Sequence, residues 1–336
     1  MKAVLVRRFG PFGDARLEEV DDPAPGVGEV VVAVEAAEVN FPDILMMEGK
    51  YQIKPALPFV PGKGVAGRVV ALGEGVDDLA LGQRVAVQLE HGGFAERVRA
   101  PRAWCYPVPD GIDAATAAAS VLTYQTAWFA FADRAALKAG ESVLVLGAGG
   151  GVGVAAIQLA KAMGAGLVIA GTRSTAKADV VLRAGADHVV DLAAPDLRES
   201  LRARIHALTD GRGVDVIIDP VGGTAFEPAL RALAWRGRLV VIGFAGGEIP
   251  VARANYLLVR NIAVMGLQGS DYRDRWPAEC AQAQARIFEF IRSGAITPEV
   301  GARYPLGRFA DALAVLAAGE ARGKLLLVPD TAETVR

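Results

Sequence analysis

The stretch LGAGGGVG (146–153) holds five glycines among the seven residues from Gly147 to Gly153. A turn that bare lets a ligand approach the backbone closely, and its N–H groups are strong donors. The run before it, ESVLVLGAG (141–149), reads as a short apolar strand. The run after it, VGVAAIQLAKAMGA (152–165), has apolar residues at helical spacing and a glycine near its end. A second strand follows, LVIAGT (167–172). Strand, glycine turn, helix and strand in that order set a dinucleotide pyrophosphate on the positive end of the helix. The best register with Gly-x-Gly-x-x-Gly is Ala148-x-Gly150-x-x-Gly153. Gly149, Gly150, Gly151, Val152 and Gly153 are therefore the predicted phosphate-side residues. A bland tight turn needs one glycine, not five.

The second strand refines the ligand. An NAD site carries an acid about twenty residues further on, to hold the ribose hydroxyls. Here that point reads Gly171-Thr172-Arg173-Ser174, with no acid. Arg173 and Lys177 suit a 2′-phosphate instead, since a guanidinium fork matches its oxygens, and Ser174 adds a hydroxyl donor beside Thr172. NADPH is the cofactor this predicts. The competing reading has Ser174 capping the next helix and Arg173 solvated; capping and phosphate binding can coexist.

These residues need a scaffold. A chain of 336 residues exceeds what one core usually supports. The first 120 or so residues alternate β-branched runs, such as EVVVAVEAAEVN (29–40), with Pro- and Gly-rich turns, and read as a β-rich domain. Helical spacing begins near Ala114. Beyond it, apolar strands at 141–149, 167–172, 188–192, 214–219, 238–244 and 262–267 alternate with helix-length stretches at 175–185, 195–208 and 224–235. That is the pattern of a doubly wound parallel sheet, spanning roughly 123–265. Two further helices, 278–293 and 308–319, and a last strand, 324–329, close the chain.

The totals exclude several classes. Net charge is −2, so nothing points to nucleic acid or an acidic membrane surface. No apolar run approaches a bilayer span, and the N-terminus is too short in apolar residues for a signal peptide. Two distant cysteines, Cys105 and Cys280, make no disulfide framework, and a cytoplasmic setting is expected. His91, His188 and His206 are read as structural or solvated, and Cys105 as a small core residue.

Motifs along the whole chain resemble the medium-chain dehydrogenase/reductase superfamily, on its zinc-free, quinone-oxidoreductase-like branch. They include VNFPD (39–43), PFVPGKGVAG (58–67), GGFAE (92–96), YQTAW (124–128), GADHVVD (185–191), DPVGG (219–223), GRLVVIGFA (237–245) and ARGKLLL (321–327). The resemblance implies an α/β chain with a GroES-like, β-rich catalytic domain built from 1–122 and 266–336. A Rossmann NADP-binding domain, 123–265, is inserted in it. It also implies a homodimer through the Rossmann sheet edge near 261–268. Zinc alcohol dehydrogenases of the superfamily carry Cys-His where Asn40-Phe41 stand and His-Glu where Lys63-Gly64 stand. With three histidines and two cysteines no tetrahedral site can be assembled at these positions, so no metal is expected. Gly64 also departs from many zinc-free relatives, which keep an acid there.

Without a metal, hydride delivery suits a conjugated acceptor, which spreads the developing charge onto oxygen. A quinone or α,β-unsaturated carbonyl is the expected substrate. A 2-enoyl thioester is the alternative, and a non-catalytic NADPH-binding sensor the reading from another class. By resemblance, Asn40 lies near the nicotinamide ribose; as a bare residue it is equally a turn residue. Tyr51 resembles a tyrosine that orients or protonates an enoyl substrate, with a surface-loop aromatic as the alternative. Thr126 matches a threonine near the cofactor, or else bonds its own backbone. Phe244, Ala245 and Leu267 are expected to line the nicotinamide through backbone groups, or else to be core. Lys324 resembles a cofactor-side lysine, or else is a solvated one.

Overall fold

The computed structural model describes residues 1–329. The chain separates into two compact units. Among the described residues, the first comprises Met1–Leu122, Ser270–Arg292 and 298–329; the second comprises Thr123–Gly269 and Ser293–Thr297. The short segment Ser293–Thr297 belongs to the second unit for a local reason. The Gln158 side-chain amide donates to the Thr297 carbonyl (2.8 Å) and accepts from the Thr297 N–H (2.9 Å).

In the second unit, six strands form one parallel sheet. Taken in sequence they are Ser142–Val145, Leu167–Thr172, His188–Asp191, Val214–Asp219, Leu233–Val241 and Ala263–Gly266. Their spatial order is third, second, first, fourth, fifth, sixth. The direction of winding therefore reverses between Ser142–Val145 and Val214–Asp219, where ligand crevices form in such sheets. The central strands are buried almost throughout, Asp215 being the half-buried exception, which is why apolar residues dominate their sequences.

Two boundaries differ from the sequence pattern. The fifth strand begins at Leu233, inside the stretch expected to be helical to 235, and the helix stops at Arg231. Pairing of Leu233 with Val214 takes the chain into the sheet at once. The stretch expected to form one helix over 175–185 opens as a 3-10 turn, Thr175–Lys177, before the α-helix Ala178–Arg183.

The first unit centres on a mostly antiparallel sheet. Strand Glu29–Val39 lies between Gly64–Leu72 and Lys324–Val328, and the latter runs parallel to Val300–Pro305. Glu29–Val39 is buried on both faces along its second half, so its last polar residue, Glu38, is wholly enclosed. Among the described residues no helix is long and apolar enough to cross a membrane.

Cys105 and Cys280 are free thiols, both buried. Burial pushes each up to about 12, against weaker opposing pulls from Arg102 on Cys105 and chiefly Arg273 on Cys280. Thiol titration should therefore find neither cysteine reactive in the native protein near pH 8 and both reactive in urea. A native thiol that reacts rapidly would show that its surroundings open.

Candidate functional site

In the parallel-sheet unit, strand Ser142–Val145 leads through the glycine turn into helix Gly151–Ala162, with Gly150 as N-cap. No side chain caps this helix. The N–H groups of Gly151, Val152 and Gly153 have no acceptor within the helix, by its geometry. Gly147 adopts φ +58°, and a Cβ there would stand 2.6 Å from the Val221 side chain. A Cβ on Gly153 would stand 2.5 Å from the Gly147 carbonyl oxygen and 2.6 Å from Ala148 Cα. The helix therefore rests on the strand end more closely than any side chain allows. Bare donors at the positive end of a helix, held at the carboxyl end of the sheet, fit a pyrophosphate.

The next strand end adds positive charge. Thr172 is buried at the end of its strand, while Arg173 and Ser174 are exposed. The Ser174 hydroxyl accepts the Ala176 N–H at 3.2 Å, so the turn-capping role is present. The Lys177 stem crosses the glycine turn: a Cβ on Gly149 would lie 2.7 Å from Lys177 Cδ. Gly149, Arg173, Ser174 and Lys177 are thus gathered around one turn and one strand end.

Across the winding reversal, Asp219 ends the fourth strand and is wholly buried. One carboxylate oxygen accepts the N–H groups of Val221 (2.8 Å) and Gly222 (2.9 Å); the other has no partner. Burial raises its pKa, against the pull of those two N–H groups. Beyond the fifth and sixth strands, Ala245 N–H donates to the Pro220 carbonyl (3.1 Å) and Leu267 N–H to that of Val241 (2.9 Å). Of the backbone groups expected to serve a ligand there, these two N–H groups are engaged within the protein. Phe244 is half-exposed, with its ring beside Gly222. Thr126 is buried in helix Leu122–Phe129, its hydroxyl beside Gly269.

The β-rich unit holds a second cluster. Asn40 ends the buried strand and is the N-cap of the short helix Phe41–Met47. Its N–H donates to an Asp43 carboxylate oxygen at 2.8 Å. Its side chain turns elsewhere: Oδ1 accepts from the Lys324 ammonium at 2.5 Å, and Nδ2 is buried without a partner. Lys324 also pairs with Glu38 at 2.7 Å. The lysine is 7% exposed, so the solvated reading of Lys324 is overturned.

Just before the neighbouring strand Gly64–Leu72, Lys63 is 1% exposed and pairs with Glu90, whose other oxygen lies 3.3 Å from Arg273. Arg273 also pairs with Asp274 (2.7 Å) and lies over the Trp104 ring, 4.3 Å from its centre. The Lys63 ammonium stands 4.7 Å from the centre of the Tyr51 ring, and Tyr51 packs against the core. Tyr51 is therefore part of this polar cluster rather than a free loop aromatic. Burial lowers the Lys63 pKa, and Glu90 and Asp43 oppose the shift.

Sequence patterns did not single out Glu38, Asp43, Lys63, Glu90, Arg273 or Asp219 as charges of the site. A signal exists for Glu38, a carboxylate near the end of a mostly apolar strand, and for Asp43, three residues after an N-cap. Arg273 carries no such signal, since its burial depends on residues far away in sequence.

Comparison with known proteins agrees with this architecture. Residues 26–110 match the alcohol dehydrogenase GroES-like domain and residues 151–285 the zinc-binding dehydrogenase domain. Mouse quinone oxidoreductase-like protein 2 is 35% identical over 311 residues, covering 93% of this chain and 88% of its own. The chain belongs to the medium-chain dehydrogenase/reductase family, among its quinone oxidoreductase-like members. A Nematostella vectensis homolog of the same protein is 34% identical over 304 residues, covering 90% of this chain and 82% of its own. Of solved structures, mycobacterial Rv1454c complexed with NADPH is 33% identical and superposes with a TM-score of 0.91, over 98% of this chain and all of that one. Escherichia coli quinone oxidoreductase complexed with NADPH is 28% identical with a TM-score of 0.90, over the same shares. The family's mixed α/β architecture, a GroES-like domain with a Rossmann sheet, is the one observed.

Asp43 gives this cluster a pH signature. It is fully buried, and burial pushes its carboxyl up to about 7, against the Asn40 N–H and the cations Lys63 and Lys324. From its ordinary 3.8 to about 7 it holds more proton in the folded than in the unfolded chain. Its contribution to stability is thus complete below 3.8 and is lost as pH rises through 7. Asp43→Asn, which keeps an acceptor for the Asn40 N–H, should flatten the stability profile over that window in urea unfolding. An unchanged slope would place the ionisation elsewhere.

Proposed function

We propose that this chain is an NADPH-dependent oxidoreductase that reduces quinones or α,β-unsaturated carbonyls without a catalytic metal. The observation that carries the reading is the end of strand Leu167–Thr172. It presents Arg173 where a ribose-binding acid would stand, with the Lys177 stem lying over the bare glycine turn. A 2′-phosphate near that turn answers the charge of both side chains. NADPH, when bound, supplies the hydride. The solved relatives complexed with NADPH support the same cofactor.

The metal-free reading rests on donor chemistry. The Asn40 oxygen is engaged by an ammonium, and position 63 is itself an ammonium. Neither is a zinc ligand in that state, since zinc prefers thiolate, imidazole or carboxylate. A conjugated acceptor needs hydrogen-bond donors rather than a Lewis acid. We assign Asn40 Nδ2 and the Tyr51 hydroxyl as those donors. The Lys63 ammonium near the Tyr51 ring holds that aromatic in the cluster.

Calorimetry with NADPH and NADH on wild type and Arg173→Ala tests the cofactor. Wild type should prefer NADPH, and the variant should lose that preference, by about tenfold or more. Equal wild-type affinities would remove the 2′-phosphate assignment. NADPH oxidation with a quinone, an enone and an enoyl thioester tests the acceptor. Tyr51→Phe that loses only enoyl reduction would favour the enoyl thioester alternative. NADPH binding with no acceptor consumed would favour a sensor.

We also propose a homodimer through the sixth strand, Ala263–Gly266, which ends the parallel sheet. The chain leading into it exposes Ile249, Val251, Leu258 and Val259, a run of apolar side chains unusual on a free surface. Light scattering should give a dimer mass for wild type and a monomer for Leu258→Asp. A monomeric wild type would end this reading.

A further inference from the structure

We infer that Glu38 is the positioning residue of the Asn40–Lys324 pair, and that it does from one strand what an acid at position 64 would do from the next. The inference rests on the preceding assignment of Asn40 Nδ2 as a ligand donor.

Sheet register brings four residues together. Ala37 pairs with Val65 across the strands Glu29–Val39 and Gly64–Leu72, so one step further Glu38 lies opposite Gly64. Val39 pairs with Leu325 across the other neighbour, so one step further Asn40 lies opposite Lys324. Glu38 and Asn40 are two residues apart and share a face. The Glu38 carboxylate accordingly reaches two partners: one oxygen takes the Leu122 N–H at 3.1 Å, and the other pairs with Lys324 at 2.7 Å.

Position 64 has room for nothing else. A Cβ there would stand 2.2 Å from Glu38 Oε1 and 3.0 Å from its Cδ and Cγ. The Glu38 carboxylate thus fills the volume a side chain at 64 would occupy. Glycine at 64 and glutamate at 38 are two halves of one arrangement, in which the acid on one strand fills the space that the glycine on the next leaves open.

The consequence falls on Asn40. Lys324 is a buried cation, and its ammonium bridges Glu38 and Asn40 Oδ1. The bridge fixes which end of the amide is used: Oδ1 faces the ammonium, and Nδ2 is left as the donor, buried and unpartnered. Without the Glu38 charge, Lys324 has less reason to remain buried, and Asn40 loses the contact that orients it. Glu38 touches neither cofactor nor substrate in this account; it acts through Lys324.

The experiment uses the full chain with four changes: Glu38→Gln, Glu38→Gly, Gly64→Glu, and the exchange Glu38→Gly/Gly64→Glu. Urea midpoints should show Gly64→Glu destabilised by collision with Glu38, Glu38→Gly destabilised by an unpaired Lys324, and the exchange closer to wild type than either. Glu38→Gln keeps shape and the Leu122 contact, so it should keep most stability. It should nevertheless lose about tenfold in kcat/KM for NADPH-dependent reduction of 1,4-benzoquinone, and the exchange should recover it. The side-chain NH2 resonance of Asn40 should exchange slowly with solvent in wild type and in the exchange, and faster in Glu38→Gln.

Additive urea effects would overturn the shared placement. Wild-type kcat/KM and an unchanged Asn40 resonance in Glu38→Gln would overturn the positioning role. If wild type neither binds NADPH nor reduces the quinone, the functional reading fails. The urea cycle and the Asn40 resonance still decide the Glu38 inference in that case.

Discussion

A buried ammonium is costly unless it is paired, and two of them organise the β-rich unit. Lys63 and Lys324 stand beside the buried strand Glu29–Val39, one just before its partner strand and one at the start of the other neighbour. Each pairs with a carboxylate, Glu90 and Glu38 respectively. Asp43 feels both cations and is enclosed enough to be pushed towards neutrality regardless. Lys324 is matched by Glu38, while Lys63 shares the Glu90 carboxylate with Arg273. The buried atoms without a hydrogen bond there include Asn40 Nδ2, Asp43 Oδ1 and one nitrogen of Arg273.

The parallel-sheet unit solves a different problem with the opposite material. Instead of pairing buried charges, it removes side chains so that backbone dipoles are laid bare. Gly153 lets the helix sit against the carbonyl of Gly147, and Gly147 itself takes a left-handed turn beside Val221. A Cβ at Gly153 would lift the helix start from the strand, and one at Gly147 would collide with the Val221 side chain. Asp219, across the winding reversal, keeps its own turn folded by accepting two backbone N–H groups. Cationic side chains are reserved for the adjacent strand end, where Arg173 is exposed and Lys177 half-buried.

The two clusters differ in how far they can be read from sequence, and for a physical reason. The glycine turn is a local motif. Its strand, turn and helix are consecutive, and their roles follow from backbone sterics and the helix dipole. Arg173 and Lys177 fall within the same local unit. The capping role of Ser174 and the stem contact of Lys177 emerged as refinements of expected positions. Element types were legible wherever period and length were clear, while the start of strand Leu233–Val241 was not, because pairing with Val214 overrode a helical pattern.

Sequence by itself determined the parallel α/β pattern, the β-rich remainder, the glycine turn and the cationic strand end. Each depends on residues close together along the chain. Tertiary structure alone decided that Lys324 is buried rather than solvated, that Tyr51 stands near Lys63, and that Arg273 closes on Glu90. It also decided that Glu38 fills the space of position 64. Those outcomes join segments that are not neighbours along the chain, and they are set by long-range strand pairing and packing and by the cost of leaving a buried charge alone.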